Sequence, residues 1–222
     1  MSASTTPVPV RIDFVSDVSC PWCAIGLAAL QQALDKLGDA VAVDMHLQPF
    51  ELNPQMPAAG EDAVEHLQRK YSSSAEQIHT NQESIRARGA ALGFTFNMDK
   101  RQRVYNTFDA HRLLHWAEGE GEGRDLALKQ LLLRAYFTDG EDVSAHETLV
   151  RLAAEAGLDG ARARAVLTDG SFADEVRAQE QLYLDKGIHS VPATIINNRH
   201  LISGGQPPEA FEQALRQITK VA

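Results

Sequence analysis

The chain of 222 residues holds two cysteines, and both lie in Cys20-Pro21-Trp22-Cys23. Two thiols at this spacing can close into a disulfide with each other, and either can exchange with a disulfide brought from outside. The flanking sequence assigns them different tasks. Val10 to Ser16 alternates apolar and polar residues and reads as a strand. Cys20 to Leu37 reads as a helix whose apolar stripe is Cys23, Leu27, Leu30, Leu34 and Leu37, with Gly38 ending it. The motif therefore opens a helix that follows a strand. A helix N-terminus presents unpaired N–H groups and partial positive charge, so Cys20 is expected to titrate below the free value of about 8.5. Pro21 fits the first helical turn without losing a hydrogen bond. Cys23 begins the apolar stripe and is expected to face inward, while Cys20 stays accessible. Cys20 would then form a mixed disulfide and Cys23 would resolve it.

A Cys-x-x-Cys pair is also half of a zinc site, and His111 and His115, four apart on an expected helix, are the residues that could complete one. Structural zinc ligands usually come from turns close in sequence, and these pairs are far apart, so redox chemistry is favoured and no metal is expected. Val191-Pro192 precedes a β-branched run, Ala193 to Ile196. Proline there is either a simple strand opener or one side of a cis bond. Asp17, three residues before Cys20, is either a loop carboxylate or a group that tunes the thiol.

The elements that must position these residues fall into three blocks. A second alternating run, Val41 to Leu47, completes a βαβ unit by about Phe50. Helical patterns without a convincing strand follow at Glu61 to Tyr71, Ala75 to Leu92, Arg101 to Trp116, Arg124 to Phe137, Ala145 to Ala156, Ala161 to Leu167 and Phe172 to Lys186. Between them, Glu118 to Gly123 alternates Glu and Gly and reads as a solvated loop. Arg124 to Phe137 carries Leu on several faces, which points to burial among other helices. The end reads as strand, tight turn at Asn197-Asn198-Arg199, strand at His200 to Ile202, and a helix opened by Pro207-Pro208. Neither end makes a full sheet, and together they would form one of four strands.

With 44% hydrophobic residues the chain can bury a sizeable core. Its net charge of −9 disfavours nucleic acid as a partner, and no apolar run approaches the roughly 18 residues of a membrane span. Met1 to Val10 lacks the basic start and apolar stretch of a secretory signal, so a cytoplasmic location is expected.

Several stretches together resemble the DsbA-like branch of the thioredoxin superfamily. They also resemble, within it, the FrnE-like group related to 2-hydroxychromene-2-carboxylate isomerases and kappa-class glutathione transferases. They are Ser16 to Gly26 around the cysteines, Pro49-Phe50-Glu51-Leu52-Asn53-Pro54, Asn106 to Arg112, Ala135-Tyr136-Phe137, Val191-Pro192-Ala193 and Ile202 to Pro207. The resemblance implies an α/β protein with a thioredoxin-like fold interrupted by a large all-helical insertion. Residues 1–53 and 188–222 would form the thioredoxin-like part, and 54–187 the insertion. It implies that Pro192 is cis beside the cysteines, and that Pro21, Trp22 and Val191 shape the substrate site. It suggests that Asn106 and His111 face the cleft between the two parts, although helix capping and packing explain them as well. The isomerase and transferase relatives carry Ser where this chain has Cys20. The retained pair favours thiol–disulfide exchange over glutathione-dependent isomerisation or transfer on an aromatic or polyketide-like molecule. The expected partners are a disulfide-bearing protein or small molecule and a thiol reductant or oxidant. No tightly bound cofactor is expected beyond the redox-active Cys20–Cys23 disulfide, with glutathione a candidate co-substrate.

Overall fold

The computed structural model describes residues 6–220. Residues 1–5 and 221–222, the outer ends of the expected thioredoxin-like part, lie outside that range.

The central strand β1 (Val8–Ser16) pairs in parallel with β2 (Val41–Pro49), from Val8 opposite Val41 to Ser16 opposite Pro49. Between them runs α1 (Pro21–Leu37), closed at Gly38, whose N–H donates to the Leu34 carbonyl and whose φ is 50°. On the other side of β1 lie β5 (Ala193–Ile196) and then β6 (His200–Ser203), both antiparallel to their neighbours. The sheet order is β2-β1-β5-β6. Asn197 and Asn198, both at positive φ, make the turn between the last two strands. Asparagine tolerates this left-handed region better than most residues. The last helix, α9 (Pro208–Thr219), packs against α1 through Phe211 and Leu215. The strands from the two ends of the chain thus build a single mixed sheet, and the fold is α/β.

Seven helices intervene: α2 (Ala63–Tyr71), α3 (Ala75–Ala91), α4 (Phe108–Glu118), α5 (Arg124–Arg134), α6 (His146–Glu155), α7 (Gly160–Asp169) and α8 (Ala173–Asp185). This stretch is not free of strands. Glu61–Asp62 (β3) pairs antiparallel with Arg103–Val104 (β4), where helix was expected on both sides. The carbonyl of Gln102 accepts the Ala63 N–H, and Gly60, at φ 65°, packs against the Val104 carbonyl where any Cβ would collide. Those tertiary contacts override the local helical pattern. Asn106 then accepts the Phe108 N–H, so α4 starts at Phe108 and not at Arg101. Helix α5 runs on into a single wide turn, Ala135–Asp139, ended by Gly140 at φ 75°.

The Leu-rich helices share their core with the sheet. Ile12, Phe14, Ile25 and Leu30 belong to one buried apolar cluster with Leu113 of α4, Leu128 and Leu132 of α5 and Leu149 of α6. A smaller cluster on the other face of the sheet joins Val15, Phe50, Tyr183, Ile188 and Ala193.

Candidate active site

The chain leaves β1 at Ser16, turns through Asp17-Val18-Ser19 and enters α1 with Cys20 as N-cap. The Cys20 carbonyl accepts the Cys23 N–H at 3.0 Å, the first bond of the helix, and Pro21 occupies its opening position. Both cysteines are free thiols. Cys23 is wholly buried. Cys20 was expected to be accessible, yet only 3% of it is exposed. Cys20 lies on the floor of a cavity of about 650 Å³, with Ser19, Pro21 and Trp22 beside it. Phe50, Glu51, Leu52 and Asn53 form one wall. Lys70 and Tyr71 of α2, with Gln77, Ile78, Asn81 and Ile85 of α3, form the roof, and His189, Ser190 and Val191 close the rim.

The Val191–Pro192 bond is cis. The Val191 carbonyl lies 3.7 Å from the Cys20 sulfur, and the Pro192 carbonyl accepts the Gly204 N–H at 2.8 Å. Helix α1 approaches this loop closely because position 26 is glycine: a Cβ there would sit 3.0 Å from Pro192 Cγ. Trp22 stacks under the Arg88 guanidinium, 5.0 Å from the ring centre, and Arg88 in turn donates to the Gly205 carbonyl at 2.7 Å.

Asp17 is fully buried under this floor. Its carboxylate accepts the Ser19 N–H at 3.2 Å, the Ser19 hydroxyl at 2.9 Å and the Leu52 N–H at 2.7 Å. His111 of α4, 2% exposed, brings Nε2 to 3.4 Å of Asp17 Oδ1, an ion-pair distance without hydrogen-bond geometry. Burial works to raise the Asp17 carboxyl, but His111 and the Leu52 and Ser19 donors outweigh it and hold the group at about 2. Burial, and then the neighbouring Cys20, push the Cys23 thiol well above its ordinary value, with Lys129 of α5 pulling the other way.

The structure thus brings Cys20, Pro21, Trp22 and Val191 together around the cavity, with Cys23, Pro192 and His111 packed about its floor. Asn106 is not there. It donates to the Met56 carbonyl and accepts the Phe108 N–H, and so ties that loop to the start of α4. His115 packs against Phe172 with the rings tilted and their centres 5.4 Å apart. Among the described residues no group of three His, Cys, Asp or Glu is placed to hold a metal ion. Sequence reasoning missed Lys129, although a lysine inside a helix apolar on several faces was a visible signal. It also missed the buried acid pair Glu51 and Glu180, both held by Arg177.

A parallel β-α-β start, two antiparallel strands and a closing helix, with a Cys-x-x-Cys pair at the first helix and a proline loop against it, define a thioredoxin-like protein. The chain belongs to the family of DSBA-like thioredoxin domains, whose model it matches over residues 11–216. It is similar to a probable DsbA oxidoreductase from Streptomyces coelicolor, at 36% identity and TM-score 0.88, over 96% of this chain and 91% of that one. It is 28% identical to the YwbO protein of Bacillus subtilis over 95% of this chain and 98% of that protein. The cytosolic disulfide reductase DsbM from Pseudomonas aeruginosa, solved with GSH, shares the fold at 16% identity and TM-score 0.66, over 95% of this chain and all of that one.

Proposed function

We propose that the protein is a thiol–disulfide oxidoreductase that works through Cys20 and Cys23. The observation that carries this reading is the asymmetry of the pair. Cys20 faces the cavity beside a backbone carbonyl, and Cys23 is sealed behind it. Cys20 attacks a substrate disulfide, forming one S–S bond and releasing one thiolate. Cys23 then attacks Cys20, closing the Cys20–Cys23 disulfide and releasing the second thiolate. Run backwards, the same path oxidises a dithiol. In this reading residues 1–53 and 188–222 supply the thiols, and 54–187 supply the roof that selects what reaches them. The cytoplasm is the compartment proposed, as for the cytosolic reductase that shares the fold.

The apolar lining of the cavity favours a second reading, in which a small molecule is the substrate and glutathione its partner. Apolar Trp22, Phe50, Leu67, Ile78 and Met98 give such a molecule a wall to pack on. Insulin reduction with dithiothreitol tests the first reading. The wild type is expected to catalyse it and Cys20→Ser to lose all activity. Activity surviving in Cys20→Ser contradicts the assignment. Glutathione-dependent turnover of an aromatic substrate by Cys20→Ser supports the second reading.

A further inference from the structure

Arg88 of α3 is exposed, and no ion pair among the described residues includes it. An exposed arginine is free to extend into water, and fixing it in one place costs side-chain entropy. This one lies back over the protein instead. Its guanidinium sits 5.0 Å from the centre of the Trp22 ring and donates to the Gly205 carbonyl at 2.7 Å. A cation–π contact and a charge-assisted hydrogen bond thus tie an inserted helix to the cysteine motif and to the loop after β6.

The tie falls at one end of the cavity. Gln77, Ile78, Asn81, Gln82 and Ile85 of α3 line it, at intervals of one, three, one and three, which is a single helix face. Arg88 is three residues further on, the next turn of that face. Trp22, on which it rests, lines the same cavity. Roof and floor therefore meet at Arg88 and Trp22. Beyond Trp22 stands the Gly205 loop, where the Gly204 N–H donates to the Pro192 carbonyl at 2.8 Å. Arg88 thus spans from the cavity face of α3, across Trp22, to the loop that bonds the cis-proline segment. Helix α3 has separate anchors: Gln32 of α1 donates to the Leu92 carbonyl at 3.2 Å, and Gly89 lies against the Phe96 ring. Loss of Arg88 alone is therefore expected to free this end of the cavity without releasing the helix.

We propose that Arg88 is a specificity-determining residue that closes one end of the cavity across Trp22, so that Cys20 meets low-molecular-weight disulfides in preference to disulfides within a polypeptide. The proposal deepens the redox reading of the cysteines and rests on it. A small disulfide needs one opening, through which it enters and its thiol leaves. A polypeptide needs two, because the chain continues on both sides of the half-cystine that Cys20 attacks. The rim at Tyr71, a lining residue that is 57% exposed, provides one. Arg88 denies the other. It touches no reacting sulfur, so the exchange chemistry of Cys20 and Cys23 is the same with or without it.

The test compares two disulfides built on the same thiol, bis(2-hydroxyethyl) disulfide and an unstructured peptide whose central cysteine is capped by 2-mercaptoethanol. The reduced full chain is mixed with each and quenched with acid at intervals, and its oxidised fraction is read by mass after alkylation. The wild type is expected to react faster with the small disulfide. Arg88→Ala is expected to keep that rate within about twofold and to raise the peptide rate about tenfold, the scale of one specificity contact. Arg88→Gln keeps the helix but not the cation, and is expected to shift the ratio the same way; it decides should Arg88→Ala fail to fold. An unchanged ratio overturns the proposal, as does a wild type that prefers the peptide. A general loosening of the fold would change both rates by one factor, and that result also overturns it. Acrylamide quenching of fluorescence gives a second readout. The chain's other tryptophan, Trp116, is 3% exposed, so the gain in quenching expected in Arg88→Ala reports Trp22. Unchanged quenching overturns the proposal, since Arg88 would then not cover the ring. If Cys20→Ser reacts with either disulfide, or the wild type with neither, the redox reading falls and the Arg88 proposal falls with it. A wild type that reacts with both, with a ratio that Arg88 does not move, defeats the Arg88 proposal alone.

Discussion

A carboxylate withdrawn from water is costly unless donors replace its hydration, and at Asp17 three donors and a histidine do so. Its folded pKa of about 2 lies below the ordinary 3.8, so the folded state binds fewer protons than the unfolded state in that interval. The resulting stabilisation is fully present above about pH 4 and is lost as pH falls through about 2. Asp17→Asn is therefore expected to lower stability by roughly 2 kcal/mol at pH 7. In denaturant titrations the gap between wild type and variant should shrink steadily from pH 4 downward. A gap that stays constant to pH 2 contradicts the account. From sequence the sign of this residue's influence was open, because its partners Leu52 and His111 are 35 and 94 positions away. The placement of the cysteine pair at the start of α1 was legible, since it depends on neighbours within one turn. The burial of Cys20 was not, because a neighbour such as the Val191 carbonyl is 171 positions away in sequence.

At the scale of elements, one close approach holds α1 in place. The loop after β6 touches the first turn of α1 so closely that a Cβ on Gly205 would lie 2.9 Å from the Trp22 carbonyl and 3.3 Å from Ile25 Cγ2. Gly205→Ala must displace backbone, and is expected to cost about 1–3 kcal/mol and to slow alkylation or disulfide attack at Cys20. Gly119→Ala, where the nearest neighbour is at 3.6 Å, is the control, expected to stay within about 0.5 kcal/mol. Wild-type thiol reactivity in Gly205→Ala contradicts the role given to this contact.

Helix α8 is tied to the end of β2 by a second device. Arg177 bridges Glu51 and Glu180, and Gln179 donates to Gln48 at 2.6 Å. Burial and mutual repulsion raise the Glu51 carboxyl, and burial raises that of Glu180. Without the arginine both carboxyls would rise further above their ordinary value, so the folded state would bind more protons and stability would fall as pH rises. Arg177→Met is expected to lose about 2–3 kcal/mol at pH 8, less than a fully buried pair because Arg177 is 46% exposed, and less again at pH 5. An equal loss at both values contradicts this. The periodic elements α1, β5 and α9 were readable within a residue or two, since one face of each is buried. The region 101–107 was not, because its pairing with β3 depends on Gly60 and on the turn around Met56, far away in sequence.

The molecule as a whole joins a sheet made from the two chain ends to helices α4 to α7 through one continuous apolar core, which α3 reaches through Ile85, while Ala63 of α2 packs in a separate small cluster with Met56 and Val104. The cavity between them is expected to set what reaches Cys20. Four strands in one sheet followed from the pattern of the two ends. The continuity of the core did not, because amphipathic stripes tell that a helix is covered without telling by what. The central claim is that Cys20 is the group that meets substrate. The most direct measurement is mass spectrometry of Cys23→Ser after exposure, without reductant, to a disulfide-bearing substrate. The expected result is a mixed disulfide on Cys20 that persists because nothing resolves it, with no adduct on Cys23 in the reciprocal Cys20→Ser. An adduct on Cys23 in Cys20→Ser, or none on Cys20 in Cys23→Ser under conditions where the wild type turns over, would contradict it.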